Sequence, residues 1–343
     1  MRILISATNL RAQSIGGGDT FVCGLASALA VHTGHEVGLL VSRQAAVRIR
    51  AMVDPRVHLA LTRGGAGASR VFGDWALLGW RSRRWAADVV VYPHEWKPVV
   101  RRPVVLVAQN ILWMHPITRR STGLRGTLLR CLVQATSRSA DGWIAVSQET
   151  ARLWAECGGP STTAITLLPE GIDLPDVVAA RSRSCAMAVT GASAHKGLDM
   201  IESVIGLARR VDPEFTMDVV GVARSPQPGR RYHGWVSRDQ LLTMMANAKV
   251  VVFPSIVESF GLPAFEACAL GRPCIVPTDS AMSQWLGDRV ATFDGSAEGL
   301  SDLLLSTTWQ DDEEPDERFL WRNVIGPWID VIEGTVQGRA KAQ

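Results

Sequence analysis

Short apolar runs of strand length recur along the first half of the chain. RILIS (2–6), EVGLLV (36–41), VHLAL (57–61), DVVVYP (88–93), PVVLVA (103–108), GWIAVS (142–147) and AITLLP (164–169) are near-continuous in Val, Ile and Leu. Such runs fit strands buried on both faces of a parallel sheet. Helical patterns fall between them, including 20–31, 121–138 and 148–157. Strand alternating with helix predicts a doubly wound α/β sheet. The pattern then restarts. CAMAVT (185–190), FTMDVVG (215–221), KVVVFPS (249–255), PCIVPT (273–278) and VATF (290–293) are separated by helical patterns at about 197–210, 238–247, 262–270 and 297–305. A second sheet of the same kind is expected, with the polar stretch 170–184 as linker. A last helix over about 316–337 places Trp321 and Trp328 on one face, seven residues apart.

Length agrees with two domains: at about 100–200 residues per domain, 343 residues suggest a pair. Six cysteines, Cys23, Cys131, Cys157, Cys185, Cys268 and Cys274, show no C-x-x-C spacing. They read as reduced thiols of a cytoplasmic protein without a metal site. The opening MRILISATNL lacks the pattern of a secretory leader. No apolar run approaches the roughly 18–20 residues of a membrane span. Charge is divided unevenly. Residues 1–170 carry 20 Lys+Arg against 10 Asp+Glu, and the remaining 173 carry 16 against 23. A basic half points to an anionic partner.

Ligands of doubly wound sheets bind outside the carboxyl ends of the strands, so chemistry is expected in the strand-to-helix turns. Three turns stand out. In SIGGGDT (14–20), Gly16, Gly17 and Gly18 permit close backbone approach to a ligand at a helix N-terminus, which suits phosphate. A plain flexible turn is the competing reading, since neither G-x-G-x-x-G nor a P-loop is present. In TGASAHKGLD (190–199), Lys196 sits where a helix is expected to begin, against the helix dipole. Either it meets an anion there or it is a solvated lysine. In VESFGLPAFEACALGRPCIVP (257–277), Pro263 suits a first helical turn. The amides of Phe260, Gly261 and Leu262 are then expected to lack intrahelical partners. Glu258 and Glu266 flank that phosphate seat. A carboxylate repels phosphate but accepts from neighbouring sugar hydroxyls. A diphosphate joined to two sugar rings, a nucleotide-sugar, satisfies all of these groups.

E-S-F-G-L-P-A-F-E-A followed by G-R-P-C-I-V-P resembles the E-x7-E signature of the GT-B retaining glycosyltransferases of family 4 (group 1). W-I-A-V-S-Q-E-T (143–150), L-L-P-E-G-I-D (167–173), H-K-G-L-D (195–199) and H-G-W-V-S (233–237) resemble further landmarks in the expected order. The resemblance implies two Rossmann-like domains facing a cleft. Residues 1–170 would bind the acceptor, residues 171–315 the nucleotide-sugar, and a C-terminal helix within 316–343 would cross back to the first domain. It assigns Glu266 to the nucleotide ribose and Glu258 to the donor sugar near the reacting centre. Phe260 to Leu262 would meet the donor sugar and diphosphate, beside Gly191. Lys196 would neutralise the leaving diphosphate, and Gly17 and Gly18 would close over it. Charge held by such preorganised donors needs no metal or cofactor beyond the nucleoside-diphosphate sugar, a UDP- or GDP-sugar carrying a hexose-type unit.

The chain departs from the family pattern in places. Gly191-Ala192-Ser193 stands where an arginine is usual, so one phosphate-binding cation is missing or supplied elsewhere, with Arg224, Arg230 and Arg231 as candidates. Gln109-Asn110 replaces a common histidine, and Glu170 a common asparagine. On the acceptor side, Gln109, Asn110 and His94 are the candidate residues, with His94-Glu95 resembling a family element that lines the acceptor pocket. Five tryptophans between 75 and 113 are interleaved with arginines. This pairing suits peripheral contact with the inner face of the plasma membrane, or a lipid-linked acceptor. No nucleic-acid motif accompanies the charge. The expected function is transfer of a sugar to a glycan or lipid-linked acceptor in bacterial surface polysaccharide or glycolipid synthesis. The alternatives are a nucleotide-sugar binder or scaffold without turnover, and a GT-B sugar-nucleotide epimerase.

Overall fold

The computed structural model describes residues 1–8, 10, 16–62, 77–119, 123–174, 185–309 and 314–342. It divides into two units: Met1–Asp173 with Leu320–Gln343, and Leu174–Phe319. In the first, seven strands run parallel: β1 (Arg2–Ser6), β2 (Glu36–Ser42), β3 (His58–Thr62), β4 (Val89–Tyr92), β5 (Val104–Ala108), β6 (Gly142–Ala145) and β7 (Thr166–Leu167). Their order is β3-β2-β1-β4-β5-β6-β7. Leu4 pairs with Gly38 on one side and Val90 on the other. Every residue of β4 and β5 is buried, as their unbroken apolar runs require. β3 differs: it is an edge strand, and its first four residues are exposed or half-buried. The helices of this unit are α1 (Gly17–His32), α2 (Ala46–Met52), α3 (77–84), α4 (Pro116–Arg119), α5 (Gly123–Thr136) and α6 (Gln148–Glu156).

The second unit repeats the design. β8 (Ala186–Val189), β9 (Met217–Val220), β10 (Arg230–Gly234), β11 (Val250–Val252), β12 (Cys274–Pro277) and β13 (Ala291–Phe293) form a parallel sheet ordered β10-β9-β8-β11-β12-β13. Its helices are α7 (Leu198–Val211), α8 (Arg238–Ala246), α9 (Leu262–Ala269), α10 (Ala281–Leu286) and α11 (Ala297–Ser306). Ile201, Val204 and Ile205 of α7 join Val219, Val252, Ile275 and Leu300 in the core. β10 has no apolar run to announce it. It is an edge strand, RRYHG, with Arg231 and His233 exposed, and hydrogen bonding to β9 creates it.

The terminal helix α12 (Trp321–Ala342) belongs to the first unit. It starts later than its expected bound of about 316, because Glu317–Phe319 form a separate 3-10 turn in the second unit. Trp321 and Trp328 are both buried, with ring centroids 6.1 and 5.5 Å from Phe21 of α1. The Trp321 indole fills space that two glycines leave open. A Cβ on Gly24 or on Gly171 would come within 2.2 Å of it. Trp328 Nε1 donates to the Pro169 carbonyl (3.0 Å), which ties the helix to the end of the first sheet.

Strand order reverses between β1 and β4 in one sheet and between β8 and β11 in the other. Turns after these strands flank the crevice where such sheets bind ligands. In the first unit they carry the glycines and His94; in the second they carry Lys196 and Glu258.

Candidate functional site

In the second unit the two switch-point turns are held together by backbone. The Ile256 amide donates to the His195 carbonyl at 2.9 Å. Gly197 adopts φ +74°, and a Cβ there would lie 2.4 Å from the Pro254 carbonyl oxygen, so the turns touch where only glycine fits. Lys196 Nζ lies 2.5 Å from Glu258 Oε1, with side chains 34% and 22% exposed. A Cβ on Gly191 would sit 3.3 Å from Lys196 Cγ, so this glycine passes directly over the lysine stem. The lysine ends a 3-10 turn, Ala194–Lys196, and α7 starts only after Gly197. The anion it meets in the structure is Glu258 itself. Burial, then the Lys196 charge, lowers the pKa of neighbouring His195, with Glu258 opposing.

α9 begins after Gly261, whose φ of +91° lies in the region that favours glycine. The amides of Phe260, Gly261 and Leu262 donate to no group among the described residues, as the free first turn of a helix requires. Phe260 and Leu262 bury their side chains, Phe260 stacking on Phe265 at 4.0 Å, so these residues offer backbone to a ligand.

One turn into α9, Glu266 is 4% exposed. Its Oε1 accepts from Arg238 Nε at 3.0 Å and Nη2 at 2.7 Å. Burial raises the carboxyl pKa, and the Arg238 charge and hydrogen bonds oppose the rise. Arg238 escaped the sequence reading, although a signal existed: it opens α8, against the dipole, as Lys196 was expected to open its own helix. The arginines considered as substitutes for the missing cation are engaged elsewhere. Glu202 of α7 pairs with Arg224 (3.3 Å) and Arg230 (2.5 Å), and Asp218 of β9 pairs with Arg231 (2.8 Å).

In the first unit, α1 starts at Gly17 instead of near Thr20, with Gly16 as its N-cap. Gly17 and Gly18 therefore form the first helical turn, and their amides donate to nothing among the described residues. Ser14 and Ile15 of the same motif lie outside the described residues. A Cβ on Gly18 would be 3.6 Å from Gln109 Nε2, so the glycine turn and the turn after β5 adjoin. Gln109 Oε1 is enclosed without a hydrogen bond among the described residues. Asn110 Oδ1 accepts from the Leu112 amide (3.1 Å) and shapes its own turn. His94 is half-buried and stacks on Trp96 at 4.5 Å.

Glu95 does not line a pocket. It is 2% exposed, accepts from Trp113 Nε1 (3.3 Å) and the Asn110 amide, and burial pushes its pKa up to about 7. It ties the turn after β4 to the turn after β5. The aromatic surface expected here is also reduced. Trp96 and Trp113 are buried, Trp85 packs against Gly38, and Trp75 lies outside the described residues. Trp80 is 51% exposed, with the Arg81 and Arg84 guanidinium carbons 4.8 and 5.6 Å from its ring centroid. Among the described residues no group of three or more His, Cys, Asp or Glu could hold a metal ion. No described helix is long and apolar enough to cross a membrane.

Residues 15–176 match the family model Glycosyltransferase Family 4, and residues 192–306 match Glycosyl transferases group 1. Glycogen synthase of Mycobacterium tuberculosis is 28% identical over 220 residues, 56% of this chain and 52% of that protein. The match thus spans about half the length of that relative. Sucrose-phosphate synthase from Thermosynechococcus elongatus superposes with a TM-score of 0.68 at 16% identity, over 99% of this chain and 98% of that one. UDP-GlcNAc 2-epimerase from Methanocaldococcus jannaschii gives 0.60 at 11%, over 97% and 99%. These two structures share the fold alone. With the two family models matched in order along the chain, the protein belongs to the family 4-like GT-B glycosyltransferases.

Proposed function

We propose that the protein is a retaining glycosyltransferase. It moves a hexose-type sugar from a UDP- or GDP-sugar to a glycan or lipid-linked acceptor, in bacterial surface polysaccharide or glycolipid synthesis. The observation that carries this reading is the switch point of the second unit. There a lysine, the free amides of Phe260, Gly261 and Leu262, and the carboxylates of Glu258 and Glu266 come from adjoining turns. Departure of a nucleoside diphosphate builds negative charge, and Lys196 with the three amides supplies preorganised positive charge for it in place of a metal. Glu258 is assigned to the donor sugar and Glu266 to the ribose; Gly17, Gly18 and Gly191 contribute backbone to the donor. His94, Gln109 and Asn110 are assigned to the acceptor.

A panel of nucleotide-sugars tests the donor assignment. A ligand present at about 100 times its Kd should stabilise the protein by about 2.7 kcal/mol, read as a rise in Tm. One UDP- or GDP-sugar is expected to do so, and no rise with any donor overturns the reading. A binder without turnover is favoured by one observation, the pairing of Arg224, Arg230 and Arg231 with Glu202 and Asp218. Release of nucleoside diphosphate with a glycosylated product separates transfer from that reading; an epimeric sugar formed from the donor without a glycosylated product indicates the epimerase.

The first unit is assigned a peripheral contact with anionic lipid. Residues 96–140 contain eight Lys or Arg and no Asp or Glu. Within that stretch Ile117, Leu124 and Leu128 of α4 and α5 are exposed, as is Trp80 nearby in sequence. Apolar side chains amid cations suit an anionic membrane surface. Cosedimentation with vesicles of phosphatidylglycerol and phosphatidylcholine should exceed that with phosphatidylcholine alone and fall with salt. Equal sedimentation with both, or with neither, overturns the assignment.

A further inference from the structure

We propose that Arg238 is a positioning residue for nucleotide recognition: it fixes Glu266 so that one carboxylate oxygen is taken and the other is presented to the ribose diol. The inference rests on the assignment of Glu266 to the ribose and goes beyond it. The two hydrogen bonds that the guanidinium gives Glu266, at 3.0 and 2.7 Å, both go to Oε1. Oε2 makes no hydrogen bond among the described residues. A carboxylate held on one edge by a planar fork has a set orientation, which a point-charge partner would not impose.

Helix capping does not require Arg238. Ser237 accepts from the Gln240 amide, and Gln240 returns the bond to complete a capping box, so the start of α8 is satisfied without the arginine. An arginine in that first turn works against the helix dipole. Its compensating partner is the carboxylate of α9. That carboxylate needs the partner in turn, because burial drives it towards the protonated form. A protonated Glu266 loses the charge that strengthens hydrogen bonds from a diol, and one of its oxygens becomes a donor.

Other ionisable groups beside α9 are placed differently. The Asp316–Arg318 pair, Arg272, Arg289, Cys268 and Cys274 lie towards the C-terminal end of α9 or on the strand and turns beside it. Lys196 and Glu258, before its start, are paired with each other.

The test measures Kd for UDP, GDP and ADP from pH 5 to 8.5 in wild type, R238Q, R238K and E266Q. Wild-type affinity for the bound nucleotide should fall less towards the acid end than that of R238Q, because Arg238 opposes the rise in the Glu266 pKa. R238Q should bind weakly at the acid end, by about tenfold per pH unit below the raised Glu266 pKa, and recover towards pH 8.5. R238K, which returns the charge without the planar fork, should flatten the pH profile while leaving affinity below wild type at every pH. E266Q should bind weakly at every pH. If E266Q binds as wild type does, the ribose assignment itself is wrong. If E266Q is weak while R238Q is pH-flat, the positioning role of Arg238 is overturned and the ribose assignment stands. Binding of none of the three nucleotides overturns both. A readout without nucleotide guards against loss of folding: the Tm of R238Q should fall as pH rises, and R238Q/E266Q should remove that slope. Parallel slopes for the single and double variants count against the proposal.

Discussion

Glu258→Gln should lower the rate of sugar transfer by about 10²–10³-fold while nucleoside diphosphate binds as tightly as before, or several-fold more tightly. The two halves of that result have different causes. The loss in rate follows from the proposed contact of Glu258 with the donor sugar, where charge develops as the glycosidic bond breaks. The retained or improved affinity follows from the ion pair with Lys196 at 2.5 Å. A diphosphate must draw Lys196 away from that carboxylate or share it. Partly exposed pairs of this kind contribute about 0–1 kcal/mol, so removing the competing carboxylate strengthens nucleotide binding by at most roughly fivefold. Lys196→Ala should do the reverse and weaken the nucleoside diphosphate by about 10-fold or more, through loss of a charge-assisted contact worth about 1.5–3 kcal/mol. Steady-state kinetics with single-turnover rates, set beside calorimetric Kd values, separates these terms. Parallel loss of binding and transfer in Glu258→Gln would show that the carboxylate serves the nucleotide and not the transferred sugar.

Unfolding experiments should reveal Glu95. Its pKa is raised from the ordinary 4.5 to about 7 by burial, so the folded protein holds this proton more tightly than the unfolded chain does. Stability from that source is fully present below about pH 4.5 and is lost as pH rises through about 7. At about 1.4 kcal/mol per pH unit between the two pKa values, the loss approaches about 3 kcal/mol. Glu95→Gln carries no charge at any pH and keeps an oxygen for the Trp113 indole, which donates to Glu95 Oε2 at 3.3 Å. The variant should therefore lack the decline and exceed wild type in stability at pH 8. Denaturant titrations at pH 5, 6.5 and 8 read this directly, and identical pH slopes for both proteins would refute the raised pKa. The functional interest is local. Glu95 joins the turn after β4, with His94, to the turn after β5, with Asn110. Its ionisation would loosen the side of the first unit assigned to the acceptor.

The amino-acid sequence by itself determined two parallel sheets and the places of three glycine-bearing strand-to-helix turns. Buried parallel strands leave unbroken Val, Ile and Leu runs, and that signal is local: β1, β4 and β5 lie where their runs predict. The start of α9 was equally legible, since Pro263 two residues after Gly261 suits the first turn of a helix. Tertiary structure decided the rest. β10 exists because β9 offers it hydrogen-bond partners, and an edge strand of RRYHG needs no apolar face. Periodicity could not tell which tryptophans fill the core, because burial of Trp96 and Trp113 depends on which loops converge above the sheet. Above all, charge pairing was decided in three dimensions. Lys196 and Glu258 are 62 residues apart, and Arg238 and Glu266 are 28 apart. No local propensity connects residues at such separations. They meet because parallel strands deliver their turns to the same end of one sheet, where the energy of a charge depends on which partner arrives beside it.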